Sequence, residues 1–536
     1  MKVRQACSQC RCRKKRCYRV DNGNACVRCV EGKLQCSYSI KPTRPPQQQR
    51  LQPSAWSSTT TSPLELPKDV VESVVELYLR YIHDRPHSLF HGPTLRRQVR
   101  DDRLGKALLC AVCSYGSRFH ADASIQSLAS PLTAEAKRIL NMDIENACLE
   151  NVKTAILVAN LSASELNSTS EAIYCSLANR MAYILGINKP DPRDSIVVKE
   201  TKLRVWSSLF MSDRWCSTRL GLPRQISDFD FEGRHAPHLP MDESVFHRLG
   251  PDEHAMPEPW KPGLWAHMIT LVRVFGPIQD FNQRLAQDGV MDDELDRSVE
   301  QLAQELDLWE QLLPVDIKLT RTNLESHRRN GQGGPFVALH LGFHHYSTLL
   351  YFHSLDYPPA TAAVAARTSF ADRCRAHASA CSTLLQTARE TEGCEAVYAT
   401  VGQMTMVSSA VLLHTLLFGN DHELADARSS LTSNFEALIE LKKYWPVSIG
   451  KTIERLFVFQ DMCLMSADAQ STHKIDRWMV RFLLEHSLPL LDEIPPEIND
   501  APSSVEFATP SNHDRSFTER GLITKHVLSG LLDGDM

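Results

Sequence analysis

The stretch Gln5-Ala6-Cys7-Ser8-Gln9-Cys10-Arg11-Cys12-Arg13-Lys14-Lys15-Arg16-Cys17 carries three cysteines in a Cys-x2-Cys-x6-Cys pattern. The pattern returns as Cys26-x2-Cys29-x6-Cys36, each cysteine 19 residues after its counterpart. A structural zinc site takes four ligands in a tetrahedron, so three thiols cannot close one. Two zinc ions need eight ligand positions, and six thiolates fill them only if two sulfurs each bridge both metals. The expected ligands of one compact two-zinc cluster are therefore Cys7, Cys10, Cys17, Cys26, Cys29 and Cys36. All-thiolate ligation favours Zn²⁺. A disulfide framework would need an oxidising compartment, and a redox role for the Cys-x2-Cys pairs would need a strand–helix–strand setting that the flanking sequence lacks. Cys12 breaks the register, because position 31 is Glu31, and reads as a thiol outside the cluster, open to redox sensing.

Charge sharpens the picture. Residues 1–50 hold 13 Lys/Arg against 2 Asp/Glu, whereas the whole chain of 536 residues carries a net charge of −5. A basic head on an acidic body suits a polyanion partner, although a solvated basic tail would give the same balance. Arg11, Arg13, Lys14, Lys15 and Arg16 fill five of the six positions between Cys10 and Cys17. On a short helix they fan over more than half the circumference, so some face phosphate and others a groove. Arg and Lys match the O6 and N7 acceptors of guanine in the major groove. Arg16, beside Cys17, could instead balance thiolate charge, and Lys2, Arg4 and Arg19 read as diffuse phosphate contacts. The same basic run would serve as a nuclear localisation signal.

The Gln5–Cys17 run and its repeat resemble the DNA-binding domain of the fungal Zn(2)-Cys(6) binuclear cluster transcription factors. The resemblance implies that Cys7 and Cys26 are the bridging pair and that a short helix follows each Cys-x2-Cys. It also implies two Zn²⁺ per chain, Arg13 and Lys14 facing a CGG-type half-site in double-stranded DNA, and regulation of RNA polymerase II genes in the nucleus. Tyr18 stands where relatives usually carry Asp, and residues 18–25 lack the loop proline many of them have.

From 41 to 68 the sequence turns to Pro, Gln47-Gln48-Gln49 and a Ser/Thr run, a composition that cannot bury a core and predicts a flexible linker. No apolar heptad lies there, so a homodimer, if formed, would pair through the larger domain. Helical periodicity begins at Asp69. Val70, Val71, Val74, Val75, Tyr78, Tyr81 and Ile82 make one apolar face, and Leu295, Val299, Leu302, Leu306, Trp309 and Leu313 another, ended by Pro314. Phe435, Leu438, Ile439 and Lys442 mark a further helix closing at Pro446. The expected fold is a small two-zinc, six-cysteine cluster domain of two short helices (1–40), the linker (41–68), a large all-α regulatory domain (69–490), and a disordered acidic tail (491–536). That tail holds 9 acidic and 3 basic residues and suits either an activation segment or a solvated end.

The helical region resembles the fungal-specific transcription factor domain of the same family. Tyr81-Ile82-His83 through Leu89-Phe90-His91-Gly92-Pro93-Thr94 is similar to its opening helix and turn. Glu200-Thr201-Lys202-Leu203-Arg204-Val205-Trp206, with Asp213-Arg214 and Leu220-Gly221-Leu222-Pro223, is similar to its most recognisable motif. His83, His87 and His91 lie four apart, but Pro86 interrupts the helix that would align them on a metal, so turn or core roles are expected. His340 and His344 are read the same way, and Asp213-Arg214 as an ion pair between helices.

No apolar run reaches a membrane span; the best, Met404–Phe418, is broken by Thr405, Ser408, Ser409, His414 and Thr415. The opening Met-Lys-Val-Arg turns polar, predicting no secretory leader. The remaining nine cysteines are scattered singly, as reduced buried thiols would be. No nucleophile elbow, P-loop, dinucleotide fingerprint or H-E-x-x-H appears, which speaks against an enzyme carrying the cluster as an accessory. A zinc-organised protein-interaction scaffold is the other alternative, and the basic head argues against it. Binding to the transcription machinery follows from the family reading. So does a pathway-specific role, in nutrient use or a secondary-metabolite gene cluster, although no residue selects between these.

Overall fold

A computed structural model describes residues 66–484, apart from 86, 190, 232–236, 251–252, 254–259, 289–292, 356–364, 467–474 and 476. It also describes Cys26, Val27 and residues 519–522, 524–526 and 529. The chain divides into two units, 1–65 and 66–536.

The second unit is helical. Its longer helices are α1 (Lys68–Tyr81), α2 (Gly92–Arg100), α3 (Lys106–Ser117), α4 (Ala129–Met142), α5 (Leu149–Ser164), α6 (Ser168–Leu185), α7 (Ile196–Leu220) and α8 (Leu264–Asp288). They continue as α9 (Asp293–Leu312), α10 (Arg321–Arg329), α11 (Gly333–Tyr351), α12 (Ala365–Glu390), α13 (Thr400–Phe418), α14 (Leu424–Tyr444), α15 (Pro446–Ser466) and α16 (Arg477–Leu484). Among the described residues of this unit there is no strand, and isolated bridges occur at His83–His87 and Met241–Pro262. Neighbours in sequence pair in space: α3 with α4, α5 with α6, α11 with α12, and α13 with α14.

The apolar faces read from the sequence point inward. Val74, Val75 and Tyr78 of α1 are buried, as are Leu295, Val299, Leu302 and Leu306 of α9. α1 crosses α3 at Gly116, where an added Cβ would lie 1.9 Å from the Val74 carbonyl oxygen; only glycine allows that approach. Pro446 does more than end α14. It opens α15, because the first turn of a helix needs no amide hydrogen from that position.

α13 is long and apolar enough to cross a membrane, yet 89% of its apolar window is buried inside the protein. Its Thr405, Ser408, Ser409 and Thr415 are satisfied internally. Thr405 and Thr415 donate to carbonyls one turn back, at 2.8 and 2.9 Å. Ser408 donates to the Ala378 carbonyl of α12 at 2.8 Å, and Asn434 of α14 donates to Ser408 and Ser409 at 2.9 and 3.1 Å. These bonds lock three core helices in register. Of the nine scattered cysteines, seven are buried. Burial pushes the Cys113 and Cys381 thiols up to about 12, so they are protonated and inert.

One result departs from the expected disordered tail. Residues 519–522 and 524–526 are helical and seated on the body. Arg520 donates to the Gly419 carbonyl at 2.8 Å and pairs with Asp421 at 2.5 Å. Gln460 of α15 donates to the buried Thr524 at 2.5 Å, and Lys525 pairs with Asp461 at 3.2 Å. Among the described residues this anchoring is polar and rests on single side chains.

Candidate functional site

Of the six expected zinc ligands, Cys7, Cys10, Cys17, Cys29 and Cys36 lie outside the described residues, as do Arg11, Arg13, Lys14, Lys15 and Arg16. Cys26 is described: it is buried, and Val27 after it is helical.

In the second unit the two family-like segments meet around one guanidinium. α7 is capped by Ser195, whose hydroxyl accepts from the Val198 amide at 3.4 Å. One turn in, Glu200 and Arg204 share a helix face and pair at 2.8 Å. Arg204 is fully buried. It donates to Ser88 at 2.8 Å and to the Met241 carbonyl at 2.5 Å, lies 3.7 Å from Glu243 and 3.8 Å from Asp84, and sits over the Phe246 ring at 4.5 Å. Burial works against its charge, yet Glu200, Glu243 and Asp84 hold it above its ordinary value. Glu243 in turn accepts from the Leu264 and Trp265 amides at 3.1 and 3.2 Å, holding the start of α8. Its own burial raises it to about 7.

The histidines serve this junction. His83 accepts from the Phe90 amide through Nε2 at 3.0 Å, so its Nδ1 carries the proton that faces Asp84 at 3.1 Å. His247 accepts from the Gly92 amide through Nδ1 at 3.2 Å, and its Nε2 faces Asp84 at 2.8 Å. Neither ring keeps a lone pair toward the carboxylate, so His83, Asp84 and His247 form a hydrogen-bonded trio and do not suit a metal. His87 bonds Asn160 at 2.7 Å and His91 bonds Thr94 at 2.7 Å. His340 takes the Ile317 carbonyl at 3.0 Å and His344 meets His377 at 2.8 Å. Each expected turn or core histidine thus has its own partner.

Asp213 and Arg214 differ from the expected bridge between helices. They clamp the loop that follows α7. Asp213 accepts from the Gln225 and Ile226 amides at 3.0 and 3.1 Å, and Arg214 pairs with Asp228 and donates to the Ile226 carbonyl at 3.0 Å. The Leu220-Gly221-Leu222-Pro223 motif makes that loop begin where it does. Gly221 is left-handed (φ 62°), and the Leu222 amide closes back on the Ser217 carbonyl at 2.9 Å.

Beside this junction lies a cavity of about 190 Å³, walled by residues from α1 through α16. Its wall is mainly apolar, with Leu157, Trp215, Phe275, Leu349 and Ile449 among the lining. Sequence reasoning missed it, because no local pattern marks residues drawn from helices hundreds of positions apart.

Residues 75–311 match the family described as the fungal specific transcription factor domain. Both family-like segments, 81–94 and 200–223, fall inside that span. An uncharacterized transcriptional regulatory protein of Schizosaccharomyces pombe is 24% identical over 430 residues, covering 70% of this chain and 51% of its own length. The Zn(2)-C6 fungal-type transcription factors FTF1c and FTF2 of Fusarium oxysporum f. sp. lycopersici are each 22% identical, over 424 and 423 residues. They are covered over 44% and 38% of their lengths. The chain thus spans about half or less of the curated relatives it matches, and they are named as transcription regulators, not enzymes. No solved structure matches it. The Arg204 junction lies within the matched span, so over residues 75–311 the chain is similar to the fungal specific transcription factor domain.

Proposed function

We propose that this protein is a sequence-specific, DNA-binding regulator of RNA polymerase II genes acting in the nucleus. The observation that carries the reading is the joint presence, in one chain, of two in-register three-thiol units set in a basic head and of a fungal specific transcription factor domain at 75–311. Residues 1–40 hold two Zn²⁺ through Cys7, Cys10, Cys17, Cys26, Cys29 and Cys36. The donor set suits the ion: six thiolates and two divalent zincs leave a net charge of about −2, which neighbouring Arg and Lys offset. The metal fixes the loop that bears Arg11, Arg13, Lys14, Lys15 and Arg16. Arg13 and Lys14 then read a CGG-type half-site while the others hold phosphate. The domain boundaries at 40, 68 and 490, pairing of two copies through the helical unit, and control of a single nutrient or secondary-metabolite pathway belong to the same proposal.

The test is a gel-shift titration of the full zinc-loaded chain on cognate and scrambled duplexes over a salt series. Lys14→Ala is expected to cost about 1–3 kcal/mol on the cognate duplex and to relax base preference. Lys2→Ala should weaken both duplexes alike and lower the salt slope by about one. Identical behaviour of the two variants on both duplexes, or one zinc per chain by metal analysis, would overturn the assignment.

A further inference from the structure

The cavity beside the Arg204 junction holds polar groups that the fold leaves unused. Arg85 Nε, His87 Nδ1, Gln279 Oε1 and His345 Nδ1 are buried without a hydrogen-bond partner, and all four side chains line this space. Their residues are between 2% and 7% exposed. Glu171 Oε2 and Ser448 Oγ on the same wall are unmet too, and at about 1–3 kcal/mol for each buried donor or acceptor such a set is expensive unless something else satisfies it.

The charge of the wall is one-sided. Arg85, Arg219, Lys451 and Arg455 line it, against the single acid Glu171. Glu171 is taken by Arg219, and Lys451 is engaged by Glu454 at 3.0 Å. Arg85 has no acid within ion-pair distance among the described residues. Glu395, the acid whose charge it feels most, pairs with Arg80 at 3.1 Å. Burial alone pulls the Arg85 guanidinium below its ordinary value. It also draws His87 to about 4 and His345 to about 3, so both rings are neutral; His87 Nε2 accepts from Asn160, which leaves its Nδ1–H as the free donor.

Volume limits the guest. An apolar cavity of about 150 Å³ accommodates benzene, so one of about 190 Å³ takes a ring with one short substituent. Water alone would satisfy the polar atoms but would leave the apolar wall wet and Arg85 without a counter-charge.

We infer that this cavity binds a small amphipathic carboxylate of roughly ten non-hydrogen atoms, its anion set against Arg85 and its apolar body against Leu157, Phe275, Leu349 and Ile449. Gln279 and His345 add their unpartnered polar atoms to the same wall. The site lies wholly within the second unit, and its occupancy does not depend on the DNA-binding reading.

The experiment is calorimetric titration of the full zinc-loaded chain, without DNA, with phenylacetate and with its neutral counterpart 2-phenylethanol. Phenylacetate should bind saturably with Kd at or below about 1 mM and raise the melting temperature, and 2-phenylethanol should bind at least about tenfold more weakly. Arg85→Gln should erase the difference between the two compounds. His345→Phe keeps a ring of similar size in place and should weaken phenylacetate about three- to tenfold with the fold intact by circular dichroism. It decides the matter if Arg85→Gln does not fold. No saturable binding of phenylacetate, equal binding of both compounds, or undiminished binding by His345→Phe would each overturn the proposal.

Discussion

Arg204 is fully buried beside three carboxylates and touches the segments that begin and end the family-like region. A buried ion pair contributes little to stability when intact, because desolvation offsets attraction; breaking one side is what costs. Arg204→Met should therefore lower unfolding free energy by about 3–5 kcal/mol, read from urea melts, by leaving the buried Glu200 and Glu243 without their counter-charge. Arg204→Lys should recover little, since one ammonium cannot serve Ser88, the Met241 carbonyl and Glu200 together. The Glu200–Arg204 spacing is visible in the sequence as an i, i+4 pair. That it is the hub of a junction is not, because Ser88 lies 116 residues away from Arg204 and Met241 lies 37 away.

At the scale of helices, periodicity was informative and termini less so. The faces of α1 and α9 follow their apolar residues, and α13 could be recognised as a core helix from the polar residues interrupting it. The contact of α1 with α3 could not, since Gly116 looks like any mid-helix glycine until Val74 is found against it. Gly116→Ala should cost about 2–3 kcal/mol, above the usual gain from replacing a helix glycine, and thermal melting would register it as a loss. An unchanged or higher melting temperature would mean the two helices can separate without penalty.

Taken as a whole, the helical unit hides imidazoles. Burial draws His340 to about 4, His344 to about 3 and His377 to about 4, beside His87 and His345 at about 4 and about 3. Each folded value lies below the unfolded one near 6.5, so the unfolded chain binds more protons in between. Their contribution is complete above about pH 6.5 and is lost as pH falls toward 4, at roughly 1.4 kcal/mol per pH unit for each histidine. Melting temperature should drop steadily from about pH 6.5 to 5, and His345→Phe should make that slope shallower. A flat profile would show that these rings reach solvent. The all-helical class, the motif segments and the core roles of His87, His340 and His344 could be read in advance; those of His345 and His377 could not. The cavity could not, since it exists only where distant helices fail to fill the space between them.

The last helical residues, riveted to α15 through Thr524 and to the loop after α13 through Arg520, give late nonsense alleles a double meaning. A premature stop codon before Arg520 deletes acidic residues and, at the same stroke, uncovers Gln460 and part of the body's surface. Loss of function in such an allele would then reflect reduced protein abundance as readily as the loss of whatever the tail itself does.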